Sequence, residues 1–255
     1  MTTALVTGGT SGIGAAFARA LAQQGHDLVL VARDADRLAE SATRLHDTYG
    51  VEVEVMSADL GVRDDVLRVA QRIESTEQPI GILVNNAGFG VRSRITTEDT
   101  APIEHAVDVM IRAVLILSAA AGRTMKARSR GAIINVSSTA GFVTMGAYSA
   151  IKAFVTSYTE GLANELKNSG VQVTALCPGW VRTEFHERAD INASKIPDQL
   201  WVDVDRLVAE CLHDVERHKV LSIPTKRYKT LMFGARHLPR AAIRTISLKL
   251  SSSRH

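Results

Sequence analysis

Cysteine, proline and aromatic residues are all scarce in this 255-residue chain, which has two Cys, six Pro and 5% Phe, Trp and Tyr. Cys177 and Cys211 have no Cys-x-x-Cys spacing. That excludes a disulfide framework or a zinc cluster and points to a reducing compartment. The eight histidines have no short-range ligand spacing, so no metal site is expected. No uninterrupted apolar run approaches the roughly 18 residues of a membrane span, and the first residues do not follow the pattern of a secretory leader. A cytoplasmic protein is the expectation. With 45% hydrophobic and 22% charged residues, the chain can build one globular core.

Acidic residues are absent from Lys226 to His255, where eight Lys or Arg stand, so the first 225 residues hold 22 basic and 27 acidic groups, a net of −5. The overall +3 therefore comes from a basic tail on a mildly acidic body. This division argues against a nucleic-acid surface and predicts a domain over 1–225 with a basic extension over 226–255.

Short apolar runs at Thr3–Thr7, Asp27–Ala32, Val51–Ala58, Gly81–Asn85, Ala132–Val136, Val171–Leu176 and Val220–Ile223 read as strands. Between them lie helix-length segments at Ala15–Gln24, Asp34–Thr48, Val62–Thr76, Ala101–Lys126, Tyr148–Lys167 and Val204–Val215. The alternation predicts an α/β protein: a single-domain, doubly wound Rossmann fold with a parallel sheet flanked by helices.

After the first strand comes Gly8-Gly9-Thr10-Ser11-Gly12-Ile13-Gly14. Such a turn lets backbone approach a pyrophosphate at a helix N-terminus. Gly9 and Gly14 have the spacing of an ATPase loop, but Ala15 and Ala16 follow where that loop needs Lys and Ser or Thr. Farther on, Tyr148 and Lys152 stand four apart and can share one helical face. An adjacent ammonium is expected to lower the tyrosine pKa and let Tyr148 exchange a proton with an alkoxide, with Ser138 donating to the same oxygen. Asp64-Asp65 reads as a helix-start charge pair rather than a glycosidase pair.

Taken in order, Thr7 to Gly14, Asp59-Leu60, Asn85-Asn86-Ala87-Gly88, Ser138, Tyr148-Ser149-Ala150-Ile151-Lys152 and Pro178-Gly179-Trp180-Val181-Arg182-Thr183 resemble the motifs of the short-chain dehydrogenase/reductase family. The likeness spans Thr3 to Ile223. It implies catalysis by Ser138, Tyr148 and Lys152 and a nicotinamide cofactor held by Gly8, Ser11, Gly12, Ile13, Gly14, Asp59, Leu60, Asn85, Ala87 and Gly88. Tyr148, Lys152, Pro178, Gly179, Val181 and Thr183 complete the implied cofactor contacts. Homodimers or homotetramers assembled through long helices are also implied.

At the end of the second strand Ala32 stands where NAD-preferring relatives place Asp, and Arg33 can face a 2′-phosphate, so NADP(H) is the expected cofactor. One departure is Asp108-Val109-Met110, where many relatives carry Asp-Val-Asn with the Asn in the proton relay. Met110 has no amide, so backbone, water or another side chain must complete the relay, or turnover falls. The alternative function is a cofactor-binding regulatory or scaffolding pseudoenzyme.

The resemblance places a substrate cover near 183–201, and Phe185, Ile191, Ile196, Leu200 and Trp201 give that segment an apolar component that core packing would equally explain. Phe142, Val143 and Met145 add apolar surface beside Tyr148. The expected substrate is an apolar ketone, a 3-oxoacyl group or a steroid-like molecule, interconverted between carbonyl and secondary alcohol. In the tail, Ile243, Ile246 and Leu250 with Arg236, Arg240 and Arg244 permit a basic amphipathic helix. It can pack on the body or a second subunit, or make peripheral contact with an anionic membrane.

Overall fold

The first two strands, β1 (Thr3–Thr7) and β2 (Leu28–Ala32), consist almost wholly of buried residues, as strands covered on both faces require. They belong to a seven-stranded sheet in which β3 (Val53–Ser57), β4 (Ile80–Asn85), β5 (Gly131–Val136), β6 (Val171–Leu176) and β9 (Leu221–Ser222) also lie parallel. The order is β3-β2-β1-β4-β5-β6-β9, so the winding direction reverses between β1 and β4. Two short strands, β7 (Trp180–Val181) and β8 (Trp201–Val202), pair outside the main sheet. This computed structural model describes residues 2–183 and 197–252.

Helices α1 (Gly12–Gln23), α2 (Ala35–Tyr49) and α7 (Val204–Glu216) cover one face with Phe17, Leu21, Leu38, Leu45, Leu207 and Cys211. The other face takes α3 (Arg63–Glu74), α4 (Ala101–Val107), α5 (Ala113–Ala127) and α6 (Gly146–Glu165). Asp34 caps α2 by accepting from the Arg37 amide, and Gly50 ends it in the left-handed region. A π-helical turn over Asp108–Arg112 joins α4 to α5. The combined 101–127 stretch is long and apolar enough to cross a membrane, yet 56% of its most apolar window is buried inside the molecule.

Polar residues cross the core where β4 and β5 lie in register at Asn85 and Asn135. The Asn85 amide donates to Asn135 Oδ1 at 2.9 Å and to Ser118 Oγ at 3.0 Å. Asn135 Nδ2 donates to Thr159 Oγ1 at 3.0 Å, and Thr159 donates to Val155 O. Each buried group thus has a partner, and the sheet is tied to α5 and α6 under the site.

The change of charge at Thr225 coincides with no gap in packing. Helices α8 (Lys226–His237) and α9 (Arg240–Ser252) turn Tyr228, Ile243 and Ser247 into the molecule. Of the apolar stripe expected in the tail, Ile243 is buried and Ile246 exposed, because Ser247 rather than Ile246 shares the inward face with Ile243.

Asn135→Ala removes the centre of the buried ladder and leaves donors and acceptors from three elements short of a partner. A loss of about 2–3 kcal/mol in urea unfolding is expected; a loss under about 0.5 kcal/mol would show that the ladder carries no stability.

Candidate active site

Every sequence motif except Arg33 and Asp59-Leu60 lies at the carboxyl ends of β1, β4, β5 and β6 or at the start of the helix that follows, around the β1/β4 reversal. Crevices of this kind hold ligands in open parallel sheets. Thr7 Oγ1 accepts from the Asn86 and Ala87 amides at 2.9 and 3.1 Å, while Asn86 Nδ2 donates to Thr7 O and Gly8 O at 2.9 and 3.2 Å. The glycine turn is thereby stitched to the end of β4.

That turn is shaped for close approach. Gly8 and Gly12 have φ of +64° and +52°, and a Cβ on Gly14 would lie 2.1 Å from Gly8 O. Ser11 occupies the N-cap of α1 without a side-chain cap, and no acidic residue stands in the first turn, in contrast to the Asp-capped α2 and α7. A Cβ on Gly12 would lie 3.4 Å from Thr183, so Thr183 sits over the turn. Phosphate fits this uncapped, acid-free helix start. The residues therefore suit the dinucleotide that the sequence implies.

Asp59 and Leu60 lie past β3, where Asp59 Oδ1 accepts from the Gly61 amide at 2.8 Å and Leu60 is buried. Asp65 holds this turn by accepting from the Asp59 amide at 2.7 Å, and Arg68 beside it keeps its carboxyl below the usual range. Arg33 is exposed at the end of β2, next to half-buried Ala32. Asn85, expected at the cofactor, is buried with its amide engaged in the ladder, so its position is one of support. Val181 is likewise packed in the core, beside Trp180 and Tyr228.

Ser138 follows β5 and opens a short 3-10 turn over Thr139–Phe142, its hydroxyl accepting from the Ala140 amide. Thr139 bonds to Pro178 O through both its amide and its hydroxyl, at 2.9 and 3.1 Å. The turn is therefore anchored to the Pro178-Gly179 segment. Tyr148 and Lys152 come from the first turns of α6, with Lys152 Nζ 5.7 Å from the Tyr148 ring centre. Tyr148 keeps an exposed edge, but its hydroxyl is deep enough that burial pushes the pKa up to about 12, opposed by a hydrogen bond with Ser138. Burial also lowers Lys152, to about 8. The expected depression of the tyrosine by its ammonium neighbour is thus reversed: desolvation disfavours both charged forms, and Lys152 donates to Val136 O at 2.9 Å.

Met110 lies buried in the π-helical turn. A Cβ on Gly88 would meet its sulfur at 3.0 Å and Lys152 Nζ at 3.7 Å. The thioether fills the space beside the ammonium, while backbone carbonyl takes the hydrogen. Sequence reasoning missed Asn86 and the Val136 carbonyl. The first was legible as the second Asn of its motif; a backbone acceptor leaves no side-chain signal.

The described ends of the 183–201 segment converge. Trp180 pairs with Trp201 and Val181 with Val202, the two indoles meet edge-on at 6.2 Å, and Arg182 lies 5.2 Å from the Trp201 ring. Phe185, Ile191 and Ile196 fall outside the described residues. Phe142 joins the core packing on one side of the site, and Phe89 and Val91 on the other.

The sequence profile described as short chain dehydrogenase matches residues 2–193. An uncharacterised oxidoreductase of Staphylococcus saprophyticus is 41% identical over 195 residues, covering 75% of this chain and 83% of that protein. A short-chain dehydrogenase from Sphingobium yanoikuyae, solved in complex with NADPH, is 39% identical with a TM-score of 0.84, covering 92% of this chain and 94% of that one. The bulky-bulky ketone specific alcohol dehydrogenase from Comamonas testosteroni is 32% identical with a TM-score of 0.80, over 94% and 96% of the two chains.

The lowered Lys152 pKa has a defined pH signature. The unfolded chain holds this proton up to 10.5 and the folded chain only up to about 8, so between those values the unfolded state binds more protons and stability rises with pH. Lys152→Met is expected to exceed the wild type in urea-unfolding stability at pH 7, with the margin shrinking as pH rises from 8 towards 10. A margin that is constant or grows with pH would contradict the buried-ammonium assignment.

Proposed function

This chain belongs to the short chain dehydrogenase family, and from that premise we propose that Ser138, Tyr148 and Lys152 interconvert a carbonyl and a secondary alcohol with NADP(H) as redox partner. The observation that carries this reading is the convergence of Ser138 and Tyr148 above a buried Lys152, at the edge where the glycine turn meets Thr183. When bound, NADPH would supply the hydride that the carbonyl carbon takes up in the reducing direction, giving NADP+. Tyr148 gives its proton to the carbonyl oxygen, and Ser138 donates a hydrogen bond to the same atom. Lys152, whose ammonium lies 5.7 Å from the Tyr148 ring centre, would favour the phenolate as the proton leaves and would bind the cofactor ribose.

Gly8, Ser11, Gly12, Ile13 and Gly14 would hold the pyrophosphate. Asp59 and Leu60 would line the adenine side, Ala87 and Gly88 would meet the cofactor at the end of β4, where Gly88 lies close to Lys152, and Pro178, Gly179, Val181 and Thr183 would hold the nicotinamide end. Asn85 supports this constellation from within the ladder. Arg33 would meet the 2′-phosphate, with no carboxylate at position 32 to repel it.

An apolar ketone, 3-oxoacyl or steroid-like compound fits the apolar residues around Tyr148, and the solved relative specific for bulky-bulky ketones agrees with that class. Residues 1–225 form the catalytic domain in this reading and 226–255 its basic extension. Assembly as a homodimer or homotetramer through α5 and α6, in a cytoplasmic setting, completes it. The exposed side of the extension carries Leu231, Phe233, Leu238, Ile246 and Leu248 among basic residues and no acid, which suits peripheral contact with an anionic membrane.

Differential scanning with NADPH and NADH, followed by turnover of a ketone and 3-oxoacyl panel, tests the enzyme. Larger stabilisation by NADPH is expected, with Arg33→Ala weakening NADPH affinity about tenfold or more and leaving NADH unchanged. Tyr148→Phe is expected to lower turnover at least about 100-fold with NADPH binding retained. A wild type that binds NADPH but reduces nothing in the panel would sink the proposal.

For the membrane contact, co-sedimentation with phosphatidylserine vesicles compares the full chain with the Leu231→Ser, Phe233→Ser, Leu248→Ser triple variant. Salt-sensitive binding by the wild type, lost in the variant, is the expected result; equal pelleting of the two proteins removes this contact from the proposal.

A further inference from the structure

Two loops flank the reacting end, and both are tied to the C-terminal helix pair. The first runs from Ser138 to Tyr148 and carries Phe142, Val143 and Met145. Its near end is fixed by Thr139 on Pro178 O. Its far end is fixed by the Thr144 amide, which donates to Ser247 Oγ of α9 at 3.1 Å. Ser247 is 1% exposed and lies one turn after buried Ile243. A hydroxyl so placed is costly to bury without a partner, and it finds one on this loop.

The second wall is formed by Trp180 and Leu200 beside the short β7–β8 pair. Tyr228 of α8 is buried, and its hydroxyl accepts from the Trp180 amide at 3.0 Å while donating to Leu200 O at 2.8 Å. Trp180 and Leu200 thus meet on one phenol oxygen. The ring occupies the space a side chain at position 179 would need: a Cβ there would lie 2.0 Å from Tyr228 Cζ. Thr225 caps α8 at the residue before it begins, with its hydroxyl accepting from the Tyr228 amide at 3.5 Å. Arg236 lies 4.0 Å from Glu160 on α6, the helix that carries Tyr148 and Lys152.

We propose that Tyr228 and Ser247 are positioning residues that hold the two walls of the substrate cleft, so that the C-terminal helix pair sets how bulky a carbonyl compound the site accepts. Both act through backbone, at Trp180, Leu200 and Thr144, rather than on the reacting atoms. The proposal rests on the carbonyl-reductase reading above and assigns its substrate discrimination to residues beyond the sequence motifs, in the part of the chain that composition alone marks as an appendage.

The test uses full-length wild type, Tyr228→Phe, Ser247→Ala and Ser247→Thr with NADPH and two ketones, one small and cyclic and one carrying two aromatic substituents. Ser247→Ala, which loses one hydrogen bond, and Tyr228→Phe, which loses two, are expected to change KM for the bulky ketone about three- to tenfold or more. Constants for the small ketone and the NADPH-induced thermal shift should stay within about twofold. Ser247→Thr keeps the hydroxyl and should restore the wild-type ratio. Amide hydrogen exchange supplies a readout independent of turnover: faster exchange is expected at Thr144 in Ser247→Ala and at Trp180 in Tyr228→Phe. Equal changes for both ketones, or unchanged exchange at these amides, would overturn the proposal. A wild type that reduces neither ketone defeats the functional reading and, with it, the substrate discrimination; the exchange rates then decide the bracing alone.

Discussion

The reciprocal bonding of Thr7 and Asn86 is the contact on which the site depends. The winding of the sheet reverses between β1 and β4, and there helices leave in opposite directions and open a crevice. A crevice between two diverging chain segments would widen unless something held its floor. Thr7 takes two amide hydrogens from the start of the β4 loop, and Asn86 returns two to the carbonyls of the glycine turn. The glycines can then approach a phosphate because their position relative to β4 is already set.

A second constraint is the dryness of the reacting end. Tyr148 and Lys152 are both pushed towards their neutral forms by burial, so the two side chains stand in an environment that disfavours either one charged alone. Backbone carbonyl at Val136 shares the ammonium, and the hydroxyls of Ser137 and Thr156 satisfy one another and the Lys152 carbonyl just beneath. Such a site sacrifices folding stability to keep an ammonium in the core beside a phenol, a tension common where function places charge in a core.

Most of the architecture could be read from sequence because it is local. Strands buried on both faces announce themselves as runs such as Leu28 to Ala32, and the four-residue interval from Tyr148 to Lys152 translates directly into a shared helical face. What escaped depends on contacts between distant segments or on electrostatics. The π-helical turn at Met110 has no propensity signature, and the Tyr148 shift was read with the wrong sign because pairing is visible in a motif and desolvation is not. The tail was legible as basic and amphipathic, but its inward face was not. Ser247 looks like one more polar residue until Thr144, 103 positions earlier, is placed against it.

That separation bears on how the protein is made. Synthesis proceeds from the N-terminus, so the sheet, the glycine turn and the Ser-Tyr-Lys set are all available to a growing chain before α8 and α9 emerge. Trp180 waits 48 residues for Tyr228, and Thr144 waits longer for Ser247. In a nascent chain the bonds of Tyr228 and Ser247 would therefore form among the last events of folding. Premature termination before Lys226 would remove Tyr228 and Ser247 and, with them, the bonds to Trp180, Leu200 and Thr144.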